Sequence, residues 1–547
     1  MHHSRLYQVS YQLIDTPPRT LWRGEALLLT LTLTNHGNVP WMNFGNHPVN
    51  LSYHWHDAQG QRVVADGLRT PLPHSLPPGH SITLEMRVES PPAPGTYQLL
   101  IDLVEEGFVW FSQRGAPPLT IPMTYQPATA PRICIINGNC VMYDAVGNHV
   151  VAELQVLRDA GYHTLLLTEF IDERWPADLR RSMVRLHLPQ LQHPDQRTHE
   201  AAYHFNTADS VILTYSTYYD LAEAVKLVRN SVVIFDYHGV TPPTLWDPHS
   251  EGYRNLVEGQ RHINLVAYAD YAMARSEYMR NELIATGLIA PERISVTPLG
   301  TATPHPRPLA HKGRGESPLR DPALLQQYRL EGKSILLYVG RMARNKRLND
   351  LVDALALIRQ QHPETVLLLV GDNQLGPYRE YAAELSQQAA DLHCSDHVIF
   401  TGPVPDVAPY YDLCHIFVTA SIHEGLGMPT IEAMRHGRPV VAAAAAALPE
   451  TVDTAGLLFE PTNAQHLATQ LSDLLHALSM YEQPVPLEQL PPWQPDDLAG
   501  RKIGLVVPRY GTDIIGGAER LMRGWAEQLT RRGYPVEVRD HLYGADG

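Results

Sequence analysis

The chain has 547 residues, 44% of them hydrophobic and 18% charged, and a formal net charge of −15. That length exceeds what one core can organise and calls for three or four globular domains. The negative charge argues against nucleic acid as the main partner, although an acidic protein can hold a local basic cleft. Four cysteines without C-x-x-C spacing exclude a disulfide framework and point to buried thiols in a reducing cytoplasm. The 28 histidines are scattered, with no H-E-x-x-H or Cys/His cluster, so no metal site is expected. The longest apolar stretch, residues 440–448, falls far short of the roughly 20 residues a membrane span needs.

Residues 1–127 alternate in short runs such as 27–33 (LLLTLTL), 49–55 (VNLSYHW) and 81–88 (SITLEMRV), with turn-rich breaks at 35–38, 57–60 and 77–79. This spacing predicts an N-terminal all-β sandwich of immunoglobulin-like type, with Trp41, Trp55 and Trp110 in its core. Over 131–310 the pattern becomes α/β. An apolar strand at 133–136 leads through a loop ending YDAVGNH (143–149) into a periodic helix, and a second strand follows at 164–167. Gly147 stands at this turn, where either a phosphate or plain turn geometry accounts for a glycine. Strands at 210–215 and 231–235 come next, the latter running into DYHGVTPP (236–243). His238 is thus at a strand end, beside a glycine and ahead of two prolines, placed to enter a cleft. In AMARSEY (272–278) Ser276 holds a helix-capping position, and the run is read as structural only. Residues 303–322, rich in Pro, Gly, Lys and Arg, read as an inter-lobe linker.

A second α/β lobe over 325–480 opens with the strand SILLYVGR (334–341). Arg341 and Lys346 lie in its strand-to-helix loop, where two cations suit a diphosphate. The apolar run 416–418 leads into SIHEGLGMPTIEAMRHGRPVV (421–441), so this loop lies at the carboxyl end of a strand, where open α/β sheets bind ligands. Across Gly425, Leu426, Gly427 and Met428 the glycines let backbone amides approach a ligand, and Pro429 suits the first turn of an anion-attracting helix. Glu424 and Glu432 frame the loop, so that both can face one small polyol. The plainer alternative makes Glu432 a helix-dipole partner and the glycines a turn. Residues 481–499 read as a proline-rich linker. Residues 500–547 hold a strand, a GGAE turn at 516–519, a helix and part of another strand, too little for a core, so a fragment of a longer chain is expected.

The pattern E-G-x-G-x-P-x-x-E-A-M at 424–434 resembles the nucleotide-sugar site of retaining glycosyltransferases of family 4. HGVTPP at 238–243, DAVGN at 144–148 and G-R-x4-K at 340–346 resemble the same family. The resemblance covers roughly residues 131–480 and implies the GT-B fold, two Rossmann-like lobes. It further implies that Glu432 holds the nucleotide ribose and Glu424 faces the transferred sugar. Gly147, Arg341 and Lys346 would meet the donor phosphates and His238 the donor sugar. The same resemblance implies a metal-independent enzyme with no cofactor beyond its nucleotide-diphosphate sugar donor. The acceptor would be a glycan or lipid-linked glycan of a bacterial surface polysaccharide, in the cytoplasm or peripherally at the inner membrane face. The GGAE turn resembles the start of a second domain of this family, and the β region resembles modules appended to polysaccharide-assembly enzymes. The family's long crossing helix is not legible after residue 480. A non-catalytic binder of nucleotide sugars or glycans, and a same-fold nucleotide-sugar epimerase, stay open as rivals.

Overall fold

The computed structural model describes residues 6–22, 25–127, 130–142, 144–195, 198–246, 248–298, 321–374, 376–482, 503–507 and 536–540. The chain forms two compact units, Met1–Ser472 and Asp473–Gly547.

The first unit begins with two sheets. Val9–Leu13, Leu27–Asn35 and Ser81–Val88 pair antiparallel in one. The other runs in the order Thr20–Trp22, Leu119–Gln126, Gly95–Glu105, Val49–Asp57, Arg62–Val64. Every second residue of Leu27–Asn35 is buried, which is the two-residue period of a strand facing a core on one side. Both sheets contribute to one apolar cluster that includes Leu31, Trp41, Trp55, Leu84, Leu99 and Tyr125. Trp110 departs from its expected place. It is half-buried at the margin, with the Arg69 guanidinium 5.1 Å from its ring.

Next comes a seven-stranded parallel sheet in the order Met183–Arg185, His163–Ile171, Arg132–Cys140, Ser210–Tyr215, Val232–Tyr237, Tyr271–Ala274, Ile294–Val296. Its central strands are almost wholly buried, as a parallel sheet covered on both faces requires. The β region docks on this lobe: the Arg180 guanidinium donates to both Glu85 carboxylate oxygens at 2.6 and 2.7 Å, and Arg87 donates to the Met183 carbonyl.

The second lobe starts at the helix Pro322–Tyr328, capped by the Asp321 carboxylate, three residues before the expected boundary at 325. Its six parallel strands run Val398–Gly402, Thr365–Val370, Ser334–Val339, Ile416–Thr419, Val440–Ala443, Leu457–Phe459. Chain order reverses between Ser334–Val339 and Ile416–Thr419, so the loops leaving these neighbours diverge and open a crevice at their carboxyl ends. Both lobes are doubly wound.

The inter-lobe linker expected at 303–322 lies, as far as residue 320, outside the described residues. The linker expected at 481–499 begins later than 481, because the helix Ala464–Glu482 runs through its first two positions; its remainder lies outside the described residues. In the second unit Ile503–Val507 and Val536–Asp540 pair in parallel. The GGAE turn and its helix lie outside the described residues.

All four cysteines are free and buried.

Candidate active site

At the reversal point of the second lobe, the loop after Ser334–Val339 and the loop after Ile416–Thr419 are tied together. Ile422 donates its backbone N–H to the Asn345 carbonyl at 3.0 Å. Lys346 is buried, and its ammonium donates to Glu424 Oε1 at 2.7 Å. A buried ammonium needs such a partner. Arg341 is exposed, yet protein groups surround its guanidinium. Burial acts to lower its pKa, and Tyr378, Asp144 and Glu424 outweigh that effect. Because Asp144 comes from the first lobe, Arg341 faces the cleft between the lobes.

Gly427 takes the left-handed conformation, φ +79°, at the head of the helix Met428–Arg435. No side chain caps this helix, Pro429 has no N–H, and the Thr430 and Ile431 N–H groups donate to the Gly427 carbonyl, so its N-terminus favours an anion through the helix dipole and not through a row of free donors. One turn in, Glu432 Oε2 accepts from the Tyr411 hydroxyl at 2.7 Å. Burial raises the Glu432 pKa, and the Tyr411 hydrogen bond opposes the rise. The neighbouring His423 is buried, which pushes its imidazole down to about 4, and its Nε2 has no partner among the described residues.

Gly425 is where the lobes touch. A Cβ there would fall 1.7 Å from Met279 Cε and 2.9 Å from the His238 carbonyl oxygen. The close approach expected of a ligand is therefore made, in this structure, by the first lobe itself. Ser276 caps the helix Glu277–Ala285 as the sequence suggests, and its hydroxyl also donates to the Gly425 carbonyl at 2.7 Å. Glu450 of the second lobe accepts from the backbone N–H groups of Glu277 and Tyr278 in the first turn of that helix.

His238 enters from the first lobe, held by a buried cluster. Its Nε2 lies 3.0 Å from Asp236 Oδ2 and 3.3 Å from Arg275 Nη2. Arg275 Nη2 also donates to Asp236 Oδ1 and, at 2.9 Å, to His149 Nε2, while its Nη1 donates to the Thr297 carbonyl. Burial would raise the Asp236 pKa, but His238, His149 and Arg275 outweigh it and hold this carboxyl below the usual range. Burial lowers the His149 pKa. It also pushes Glu153, one turn further along the same helix, up to about 8, with Asp236 adding to the rise.

The fold thus brings Glu424, Gly425, Leu426, Gly427, Met428 and Glu432 together with Lys346 and Arg341, and sets His238 against Gly425. Gly147 has a local reason to be glycine: a Cβ would meet the Val141 carbonyl oxygen at 2.4 Å, and its N–H donates to Asp144. Sequence reasoning missed Asp236, His149, Glu153, Arg275 and Tyr411. Asp236 was within reach, since positions i and i+2 of a strand share a face. Arg275, given a purely structural role, reaches Asp236 only because the strands Val232–Tyr237 and Tyr271–Ala274 pair in register. A cavity of about 520 Å³ lies nearby, lined by Leu245 and Trp246 of one lobe and Arg344, Tyr381 and Ile422 of the other. None of the candidate residues lines it, so the chemistry is assigned to the loops and not to this cavity.

Comparisons with known proteins bear on the fold that carries these loops. Residues 333–477 match the family described as Glycosyl transferases group 1. The O-antigen chain mannosyltransferase B of Escherichia coli is 28% identical over 243 residues, 43% of this chain and 59% of that protein. A GDP-mannose-dependent alpha-(1-6)-phosphatidylinositol monomannoside mannosyltransferase of Mycolicibacterium smegmatis is 30% identical over 161 residues, 27% of this chain and 41% of that protein. The chain therefore spans less than two thirds of the curated relatives it matches. Among solved structures, Anabaena HepE in complex with UDP and glucose superposes with a TM-score of 0.50 at 20% identity, over 63% of this chain and 90% of that one. The family match thus lies within the second lobe, and the two lobes together have a GT-B-like fold.

Proposed function

We propose that this protein is a glycosyltransferase that moves a sugar from a nucleotide-diphosphate donor to a hydroxyl of a glycan or lipid-linked glycan. The observation that carries the reading is the constellation at the second lobe's reversal point. There a buried Lys346–Glu424 pair, Arg341 at the cleft and the N-terminus of the helix Met428–Arg435 converge, with His238 of the first lobe behind Gly425. Two cations and a helix N-terminus suit a diphosphate. Two carboxylates suit sugar hydroxyls, which donate hydrogen bonds to them.

In the proposed reaction the bond from the sugar's anomeric carbon to the diphosphate oxygen breaks, and the acceptor oxygen bonds to that carbon on the same face. The acceptor's hydroxyl proton passes to the departing phosphate oxygen. Arg341 and Lys346 stabilise the leaving charge, which grows in the transition state. Glu432 holds the ribose and Glu424 the transferred sugar; Gly147 closes the turn behind the phosphates. The reaction is proposed to need neither metal nor cofactor. The mannosyltransferase relatives support surface-glycan synthesis as the setting. We further read the β region as an immunoglobulin-like appended module, and place the reaction in the cytoplasm, with peripheral access to a membrane-borne acceptor.

The test is a panel of UDP- and GDP-sugars assayed for nucleoside-diphosphate release with and without extracted lipid-linked glycans, in chelator. Acceptor-dependent release with retained anomeric configuration is the expected result. Donor conversion without any acceptor would instead identify an epimerase, and binding without turnover a nucleotide-sugar binder.

A further inference from the structure

We infer that Asp236 and Arg275 are positioning residues that fix the ring tautomer of His238, so that its Nδ1 is a hydrogen-bond acceptor for a hydroxyl of the transferred sugar. The inference rests on the glycosyltransferase reading for its substrate, but its structural half stands on the cluster alone.

Asp236 is 0% and Arg275 3% exposed, and the His238 side chain only 4%. Two buried opposite charges balance here, so Asp236 is a carboxylate and accepts only. The 3.0 Å contact between Asp236 Oδ2 and His238 Nε2 therefore puts the proton on Nε2; Arg275 Nη2, 3.3 Å away, directs its two hydrogens to its closer partners Asp236 Oδ1 and His149 Nε2. In the neutral ring Nδ1 then carries the lone pair, and it has no partner among the described residues. His149 is set the opposite way: its Nε2 lies 2.9 Å from the donating Arg275 Nη2 and 3.6 Å from Asp236 Oδ2, so the nearer partner is a donor and Nε2 accepts. One guanidinium and one carboxylate thereby sort two imidazoles into opposite tautomers.

Nitrogen and oxygen atoms of His149, Asp236 and His238 lie within 4.8 Å of one another, a spacing that suits a divalent ion. Arg275 Nη2 already stands among all three, so the protein supplies its own cation there. The guanidinium is anchored from behind by the Thr297 carbonyl, which fixes its fork against the ends of two adjacent strands. His238 cannot turn its ring over without leaving the Asp236 carboxylate buried with one acceptor unpaired, a costly state. Its backbone carbonyl is likewise fixed, packed on Gly425 beside Glu424. The cluster therefore delivers a ring of fixed orientation and fixed hydrogen-bond sense to the point where the lobes meet.

The test combines a spectroscopic and a kinetic reading. Long-range proton–nitrogen correlation on full-length protein labelled in its histidines, with His238 assigned by its loss in His238→Gln, should show the Nε2–H tautomer. Asp236→Asn and Arg275→Lys should each lower kcat by roughly 10–100-fold, the loss found when partners that orient metal-binding histidines are removed and taken here as the scale. Nucleoside-diphosphate affinity, set in the second lobe, should stay near wild type, and Arg275→Lys should lose less than Arg275→Met. An Nδ1–H tautomer in the wild type would overturn the inference. So would folded variants with unchanged kcat and lowered thermal stability, which would make the cluster a structural ion pair only. A wild-type protein that turns over no nucleotide sugar would contradict the proposed function, and the tautomer would still decide this inference.

Discussion

Lys346 places a cation in the interior at the cleft floor, and Glu424 is the partner that makes this tenable. With Arg341 exposed beside them, the loop offers one fixed and one accessible positive charge. If these meet the leaving group, Arg341→Ala or Lys346→Ala should each lower turnover by roughly 10²–10³, the loss typical of one well-placed electrostatic group. Steady-state kinetics checks this, and wild-type turnover in both variants would remove the assignment. Glu153 yields a second prediction at this scale. Its folded pKa is raised to about 8 by burial, with Asp236 adding and Arg275 opposing. The folded state therefore binds the proton more tightly than the unfolded chain, whose glutamates titrate near about 4.3. The stability this gives is present below the unfolded value and is lost as pH rises through the folded value, between about 4.3 and 8. Replacing the group by Glu153→Gln should flatten that part of the stability curve relative to wild type, and denaturant titrations at pH 5 and pH 9 measure the difference.

Among the elements, the helix Met428–Arg435 depends on Gly427. Its left-handed backbone costs an ordinary residue about 1–2 kcal/mol, and a Cβ would also meet Leu448 Cδ2 at 2.8 Å. Gly427→Ala should therefore lower unfolding free energy by at least the backbone amount, measurable by chemical denaturation. Gly425→Ala should act differently. Met279 is flexible and can shift, but the His238 carbonyl is backbone, so activity should fall more than stability. The strands themselves were legible in the sequence because their pattern is local: residues 27–33 largely alternate and 335–339 are continuously apolar, as one-sided and two-sided burial demand. The carboxylates and glycines of 424–432 were legible because they share one loop and one helix turn. The Asp236–Arg275–His149 cluster was not, since it depends on which strands become neighbours and in what register. Trp110 was misread because alternation marks which face a residue takes and not how far the sheet edge is covered.

Across the first unit, long-range polar contacts join the parts that the chain order separates. Glu450 caps a helix of the opposite lobe. Because that carboxylate is exposed, Glu450→Ala should cost about 0.5–1 kcal/mol, toward the low end for a lost helix cap, and should raise the amide exchange of Glu277 and Tyr278. Arg180 and Glu85 join the β region to the first lobe through a bidentate pair, a geometry that adds specificity to a modest energy. In the proposed reaction both lobes would act on one substrate, with the nucleotide on the second lobe and the transferred sugar between them. The most direct measurement is calorimetric titration of the nucleoside diphosphate into wild type, Glu424→Ala and Glu432→Ala, beside a transfer assay on the same three proteins. Glu432→Ala is expected to weaken nucleotide binding by roughly tenfold, about the worth of one hydrogen bond to a charged group. Glu424→Ala is expected to leave that binding nearly intact and to abolish transfer. Equal losses of nucleotide affinity in the two variants, or transfer undiminished in Glu424→Ala, would contradict this division of the two carboxylates.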